Sequence, residues 1–102
     1  MVAPPVDAST GSSEPIELAD RVRTAVLAVP GVTGLHGGRH GVTATYAPRR
    51  RVVGIRRRDD HTEVHITVGS DVPVRAVADA VRRAVHSIVD QPVDVVVEDL
   101  TA

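Results

Sequence analysis

The chain contains no cysteine, no lysine, no phenylalanine and no tryptophan, and Tyr46 is its single aromatic residue. Without cysteine, disulfides, thiolate metal sites and cysteine nucleophiles are excluded. Without Phe or Trp the core must be aliphatic, and 21 valines supply most of it. Valine is stiff and β-branched, which suits strands and costs little side-chain entropy on burial. Because lysine is absent, all 12 basic residues are arginine, a bias that first of all signals a GC-rich coding sequence. Long apolar runs are missing as well. No window approaches the roughly 18 apolar residues of a membrane span, so the chain is expected to carry no transmembrane segment and to be soluble or at most peripheral. Its start is neither basic nor followed by an apolar stretch, unlike a signal peptide.

At 102 residues the length fits one small domain. Residues 1–15 hold Pro4, Pro5 and Pro15 around a Ser/Thr/Gly run with no apolar period. Such a stretch cannot bury enough apolar surface to offset its ordering entropy, so it reads as a flexible tail ahead of a domain over 16–102. Net charge is −1, distributed unevenly. Residues 1–38 carry two arginines and four acids, residues 39–58 seven arginines and no acid, and residues 59–102 three arginines and nine acids. The segments sum as −2, +7 and −6, a dipolar chain with one basic stretch.

A first helix is predicted from Pro15 to Val29, because Leu18, Val22, Ala25, Val26 and Val29 form an apolar stripe and Pro30-Gly31 ends it. A short strand follows over Val32–His36. Gly37, Gly38 and Gly41 favour a loop, and the composition of residues 42–46 predicts a short irregular strand. Arg51–Arg57 and Thr62–Val68 read as a hairpin turning at Asp59-Asp60, with Arg58 facing His61, Ile55 facing Val64 and Val53 facing Ile66. Arg56 would then lie opposite Glu63 on the solvated face. A second helix runs from Pro73 to Val89, and a last strand over Val93–Glu98 points Val93, Val95 and Val97 one way. The order α-β-(β)-β-β-α-β predicts an α+β fold, a two-layer sandwich with two helices on one face of a small mixed sheet.

Candidate chemistry is sparse. His36 and His40 are four apart, as are His61 and His65, but neither pair sits on a predicted helix. Along a strand four residues span roughly 13 Å, too far to share an ion, so no metal site is assigned. Two Gly-x-x-Gly matches, at Gly34–Gly37 and Gly38–Gly41, follow a strand rather than joining the two helices of a KH module, and read as turns. No nucleophile elbow, phosphate loop or dinucleotide fingerprint occurs, and neither a catalytic residue nor a cofactor is assigned. The arginine segment 49–58 is the strongest functional signal. Arg49, Arg50, Arg51, Arg56 and Arg58 are candidate partner-binding residues, with strand alternation sending Arg56 and Arg58 to one side and Arg57 to the other. Arginine pairs phosphate bidentately, so a small RNA- or DNA-binding module is the alternative reading. The single aromatic and the acidic balance argue against nucleic acid. Pairing of these arginines with Asp59, Asp60, Glu63 and the acidic last strand would make them a solvated face and nothing more.

The helix ending in Val29-Pro30-Gly31-Val32, the glycines at Gly34, Gly37 and Gly38, the strand Val64–Val68, the helix opened by Val72-Pro73-Val74 and the closing strand Val93–Asp99 occur in that order. Together, over residues 16–100, they resemble the alkaline shock protein family of bacterial envelope stress response proteins, in an actinobacterial-type version. The resemblance implies a non-enzymatic cytoplasmic scaffold or adaptor in cell-envelope homeostasis, peripheral to the inner face of the membrane. It also implies binding to a membrane-anchored protein partner and self-association into a homo-oligomer. The family has no established catalytic residues, and none is carried over. A short length and an arginine-rich middle set this chain apart from typical members. Charge reversal at Arg56 and Arg58 is expected to weaken recruitment without unfolding the domain.

Overall fold

A computed structural model of the chain, which describes residues 16–38 and 43–101, places helix α1 over residues 16–27. Strands β1 (Val32–Leu35), β2 (Ala44–Ala47), β3 (Arg50–Val53), β4 (Ile55–Arg57) and β5 (Thr62–Gly69) follow, then helix α2 (Val74–His86) and strand β6 (Val93–Thr101). Strand β5 is the axis of the molecule. Its residues alternate without exception between buried Thr62, Val64, Ile66 and Val68 and half-buried Glu63, His65, Thr67 and Gly69. That period of two follows from the pleat, which turns successive side chains to opposite faces. One face is covered by both helices, and the other is open.

The covered face forms one aliphatic core. Ile16, Ala19, Val22 and Val26 of α1 and Val77, Val81 and Val85 of α2 pack against Val52, Ile55, Val64, Ile66, Val68 and Val93. Each fully buried valine or isoleucine contributes roughly 1.5–3 kcal/mol. The α1 stripe is centred nearer its start than the sequence pattern indicates: Ile16 and Ala19 are buried, whereas Leu18 and Val29 only flank the core. Gly31, last residue of the turn that joins α1 to β1, has a φ of +99°, and a Cβ there would lie 2.7 Å from Val77 Cγ2, so this joint needs glycine for backbone and for space. Helix α2 opens after Pro73 and closes with Arg83 and His86 in its last turn, where cations suit the carbonyl end.

The fold is α+β, two helices on one face of a mixed sheet. Strand β6 pairs β5 in parallel, while β1 and β4 both pair its other edge antiparallel. Several details differ from the sequence expectation. The expected single strand Arg51–Arg57 is two strands, because Gly54 breaks it at a φ of +88°. In consequence Val53 pairs Ala44 rather than Ile66, and Ile66 pairs Leu35 of β1. Ile55 opposite Val64 and Arg56 opposite Glu63 stand as expected. Strands β1 and β4 thus act as one interrupted edge strand, with the hairpin β2–β3 as an excursion between them in the chain. The junction is closed at His65, whose C=O accepts from His36 N–H at 2.9 Å and whose N–H donates to Gly54 C=O at 2.8 Å. The expected strand at 42–46 is β2, over Ala44–Ala47, with residue 42 outside the described residues. Strand β6 runs past Glu98 to Thr101 after a shift of register between Ile66 and Thr67. The expected tail, residues 1–15, lies outside the described residues.

Candidate functional site

The break at Gly54 decides where the arginines go. Arg49, Arg50 and Arg51 are exposed on the hairpin β2–β3, whose turn is Pro48-Arg49. Thr45 Oγ1 donates to Ile55 C=O at 2.6 Å and ties that hairpin to β4. Arg50 reaches α1, where its guanidinium makes a two-nitrogen contact with the Asp20 carboxylate, Nη1 to Oδ1 at 3.1 Å. That hydrogen bonding holds Asp20 below its ordinary range and Arg50 above its own. Arg51 stands opposite Tyr46. Arg56 and Arg58 share the open side of the sheet, and Arg57 faces the helix side, where its Nε donates to Gln91 Oε1 at 3.2 Å. Arg58 Nε donates to Glu63 Oε2 at 3.0 Å. The five candidate arginines therefore do not form one patch. Arg50 and Arg58 are neutralised by acids of the same chain, whereas Arg49, Arg51 and Arg56 make no ion pair among the described residues. Arg56 and Arg57, with Ala44, Thr45 and Tyr46, line a cleft of about 210 Å³ between β2 and β4.

Of the candidate glycines, Gly34 lies within β1, and Gly37 and Gly38 follow it. Gly34 lies opposite Thr67, Gly37 accepts from Thr43 N–H at 2.9 Å, and Gly38 donates to His36 Nδ1 at 3.0 Å. A side chain added at Gly38 would approach the His65 ring, so the start of this loop lies against the open face.

That face carries an arrangement that composition and motif reading miss. Glu98, His65, Glu63, His61 and Asp60 form an unbroken chain of alternating carboxylates and imidazoles. Glu98 Oε2 lies 2.5 Å from His65 Nδ1, and His65 Nε2 lies 3.4 Å from Glu63 Oε1. Glu63 Oε2 lies 3.1 Å from His61 Nε2, and His61 Nδ1 lies 2.7 Å from Asp60 Oδ1. His61 thus has a carboxylate at each nitrogen, and only the imidazolium donates from both. Its pKa is raised above the ordinary 6.5 by the bonds to Asp60 and Glu63. The same bond lowers Asp60. At Glu63 burial favours the neutral acid, but the bonds from Arg58 and His61 outweigh it and the pKa falls below 4.5. The signal was present as His61-x-Glu63-x-His65, a period of two that puts all three on one strand face. Glu63 lies between His61 and His65 as a carboxylate that both rings share.

Among the described residues no group of three His, Asp or Glu side chains is arranged to hold a metal ion, and no helix is long and apolar enough to cross a membrane. Comparison with protein-family models, with curated proteins and with solved structures finds no match.

Proposed function

We propose that the chain is a non-enzymatic interaction domain of the alkaline shock protein type. It acts as an adaptor in cell-envelope homeostasis, binding a membrane-anchored protein partner and a second copy of itself from the cytoplasmic side. The observation that carries this reading is the free edge of β6. This nine-residue strand pairs β5 on one side, and no described strand pairs the other. Thr62 N–H donates to Pro92 C=O at 2.8 Å, which sets the phase of the parallel ladder. Asp94 and Val96 therefore turn their backbone groups toward β5, while Val95 and Val97 turn theirs outward. Leu100 N–H, also outward, is taken by Asp99 Oδ1 at 2.8 Å. Val93 C=O on this edge accepts from Arg82 Nε at 3.4 Å, but the outward groups of Val95 and Val97, beside exposed Val96 and Leu100, invite strand addition. The acids Asp94, Glu98 and Asp99 along this strand favour a partner strand that carries basic residues. The glycine and proline joints quoted for the family resemblance, Pro30-Gly31 and Val72-Pro73, support it from the sequence side.

The test is affinity capture from solubilised membranes with the whole chain, comparing wild type with Val95→Pro. Proline there removes one outward N–H and no bond to β5. Recovery of a membrane protein by the wild type and its loss in a Val95→Pro chain of native circular dichroism is the expected result. Equal recovery by both would remove the β6 edge from the reading.

A further inference from the structure

Arg56 stands opposite Glu63, the nearest cross-strand acid, without pairing to it. Both Glu63 oxygens are already engaged, Oε2 by Arg58 and His61 and Oε1 by His65. The half-buried Arg56 side chain lines the β2–β4 cleft instead, with Tyr46 and Arg57 beside it. A guanidinium partly withdrawn from water and lacking a carboxylate is destabilised until an anion reaches it. Of the neighbouring arginines, Arg50 and Arg58 are neutralised by Asp20 and Glu63, while Arg49 and Arg51 make no ion pair among the described residues, and the segment 39–58 itself holds no acid. Tyr46, the only aromatic residue of an otherwise aliphatic protein, is 56 % exposed here instead of buried. Tyr46 is among the residues that line the cleft, and its phenol can hydrogen-bond.

We propose that the β2–β4 cleft is a binding site for a single phosphate group, with Arg56 as its principal donor. The group is either free, as inorganic phosphate or a phosphorylated small molecule, or presented by a phospholipid headgroup. Guanidinium matches the paired oxygens of phosphate through two parallel N–H bonds. Three features restrict the ligand to one compact anion. At about 210 Å³ the cleft is smaller than the roughly 300–1,000 Å³ of sites that enclose a drug-sized molecule. Stacking successive bases needs a series of rings, and Tyr46 stands alone. Beyond Arg56 the open face carries Glu63, Asp94 and Glu98, which repel a polyanion extending along the sheet. This inference concerns the opposite side of β5 from the β6 edge and does not rest on the adaptor reading.

The test follows backbone amide and arginine side-chain resonances of the whole chain during titration with inorganic phosphate. Vesicles of phosphatidylcholine with and without phosphatidate, and a single-stranded oligonucleotide, are run in parallel. Phosphate is expected to shift residues 44–46 and Arg56 saturably. Binding should weaken about tenfold or more in Arg56→Gln and stay unchanged in Arg75→Gln, an exposed arginine of α2. Tyr46→Ala, which alters no buried group, gives a second variant with an expected loss of a few-fold. Binding to phosphatidate vesicles that free phosphate displaces assigns the site to a headgroup, and binding of phosphate alone assigns it to a soluble ligand. Absence of saturable shifts, or equal losses in Arg56→Gln and Arg75→Gln, overturns the proposal. So does oligonucleotide binding with a steep salt dependence shared by Arg49, Arg51 and Arg56, which would make the cleft part of a nucleic-acid surface.

Discussion

The basic hairpin and the acid–histidine face lie on either side of the same junction and treat charge in opposite ways. On the open face every ionisable group in the chain from Asp60 to Glu98 meets a partner, and Glu63 alone serves three. On the hairpin, by contrast, Arg50 alone is paired among the described residues, while Arg49 and Arg51 are exposed and, on neighbouring β4, Arg56 faces the cleft. A satisfied network rigidifies the structure that holds it, whereas an unpaired charge held in place leaves interaction energy for a ligand. The contrast gives the first region to the fold and leaves the second free for the ligand proposed above.

The most damaging way to break this contrast is Gly54→Ala, which strikes both regions at once. A Cβ at Gly54 would sit 2.9 Å from His65 O, 2.9 Å from Leu35 Cβ and 3.0 Å from His36 N, at a φ of +88°. Left-handed strain and overpacking together are expected to cost roughly 2–4 kcal/mol, read as a lower denaturant midpoint. A smaller effect separates the regions. Glu63→Gln is expected to destabilise by about 1–2 kcal/mol, because Arg58, His61 and His65 lose one shared acceptor. Arg56→Gln should leave the melting curve within roughly 0.5 kcal/mol of wild type. Equal destabilisation by the two would place Arg56 in the structural network and abolish the distinction.

The mildest effect is that of pH. His61 has a folded pKa above 6.5, so the fold favours its protonated form. Its contribution is complete below 6.5 and is lost as pH rises through the folded value. Asp60 and Glu63 are shifted the other way, below 3.8 and 4.5, and their contributions are lost only as pH falls through those lowered values. The urea midpoint should therefore decline from about pH 6.5 upward in wild type and remain level over that limb in His61→Gln. A decline that persists in His61→Gln would place the titrating group elsewhere.

Much of this architecture was legible because it depends on local pattern. The valine stripes of both helices, the β5 alternation and the Ile55–Val64 register all follow from periods of 3.6 and 2 read along one segment. The hairpin between β4 and β5 was legible for the same reason, since turn and register lie close together in sequence. Strand β3–β4 was not. Residues Arg51–Arg57 look continuous, and the single Gly54 among them shows no sign of its positive φ until His65, Leu35 and His36 close around it. The arginine segment was legible as charge but not as a site. Whether each arginine is neutralised depends on Asp20 and Glu63, which lie on α1 and β5. Glu98 was likewise legible only as the last residue of the expected strand Val93–Glu98. It reaches His65 where the β6 register shifts, a feature without a residue signature of its own.

By itself the sequence determined an aliphatic, disulfide-free α+β domain with two amphipathic helices, one alternating central strand and a basic middle. These properties reside in residue type and short-range period, which act before distant segments meet. Tertiary structure alone decided that β1 and β4 would share one edge of β5 and that Glu63 would be saturated by Arg58, His61 and His65. It also decided that Arg56 would be left facing a cleft with Tyr46. Hydrogen bonds and ion pairs form between groups within a few ångströms, and only the folded chain sets which groups those are.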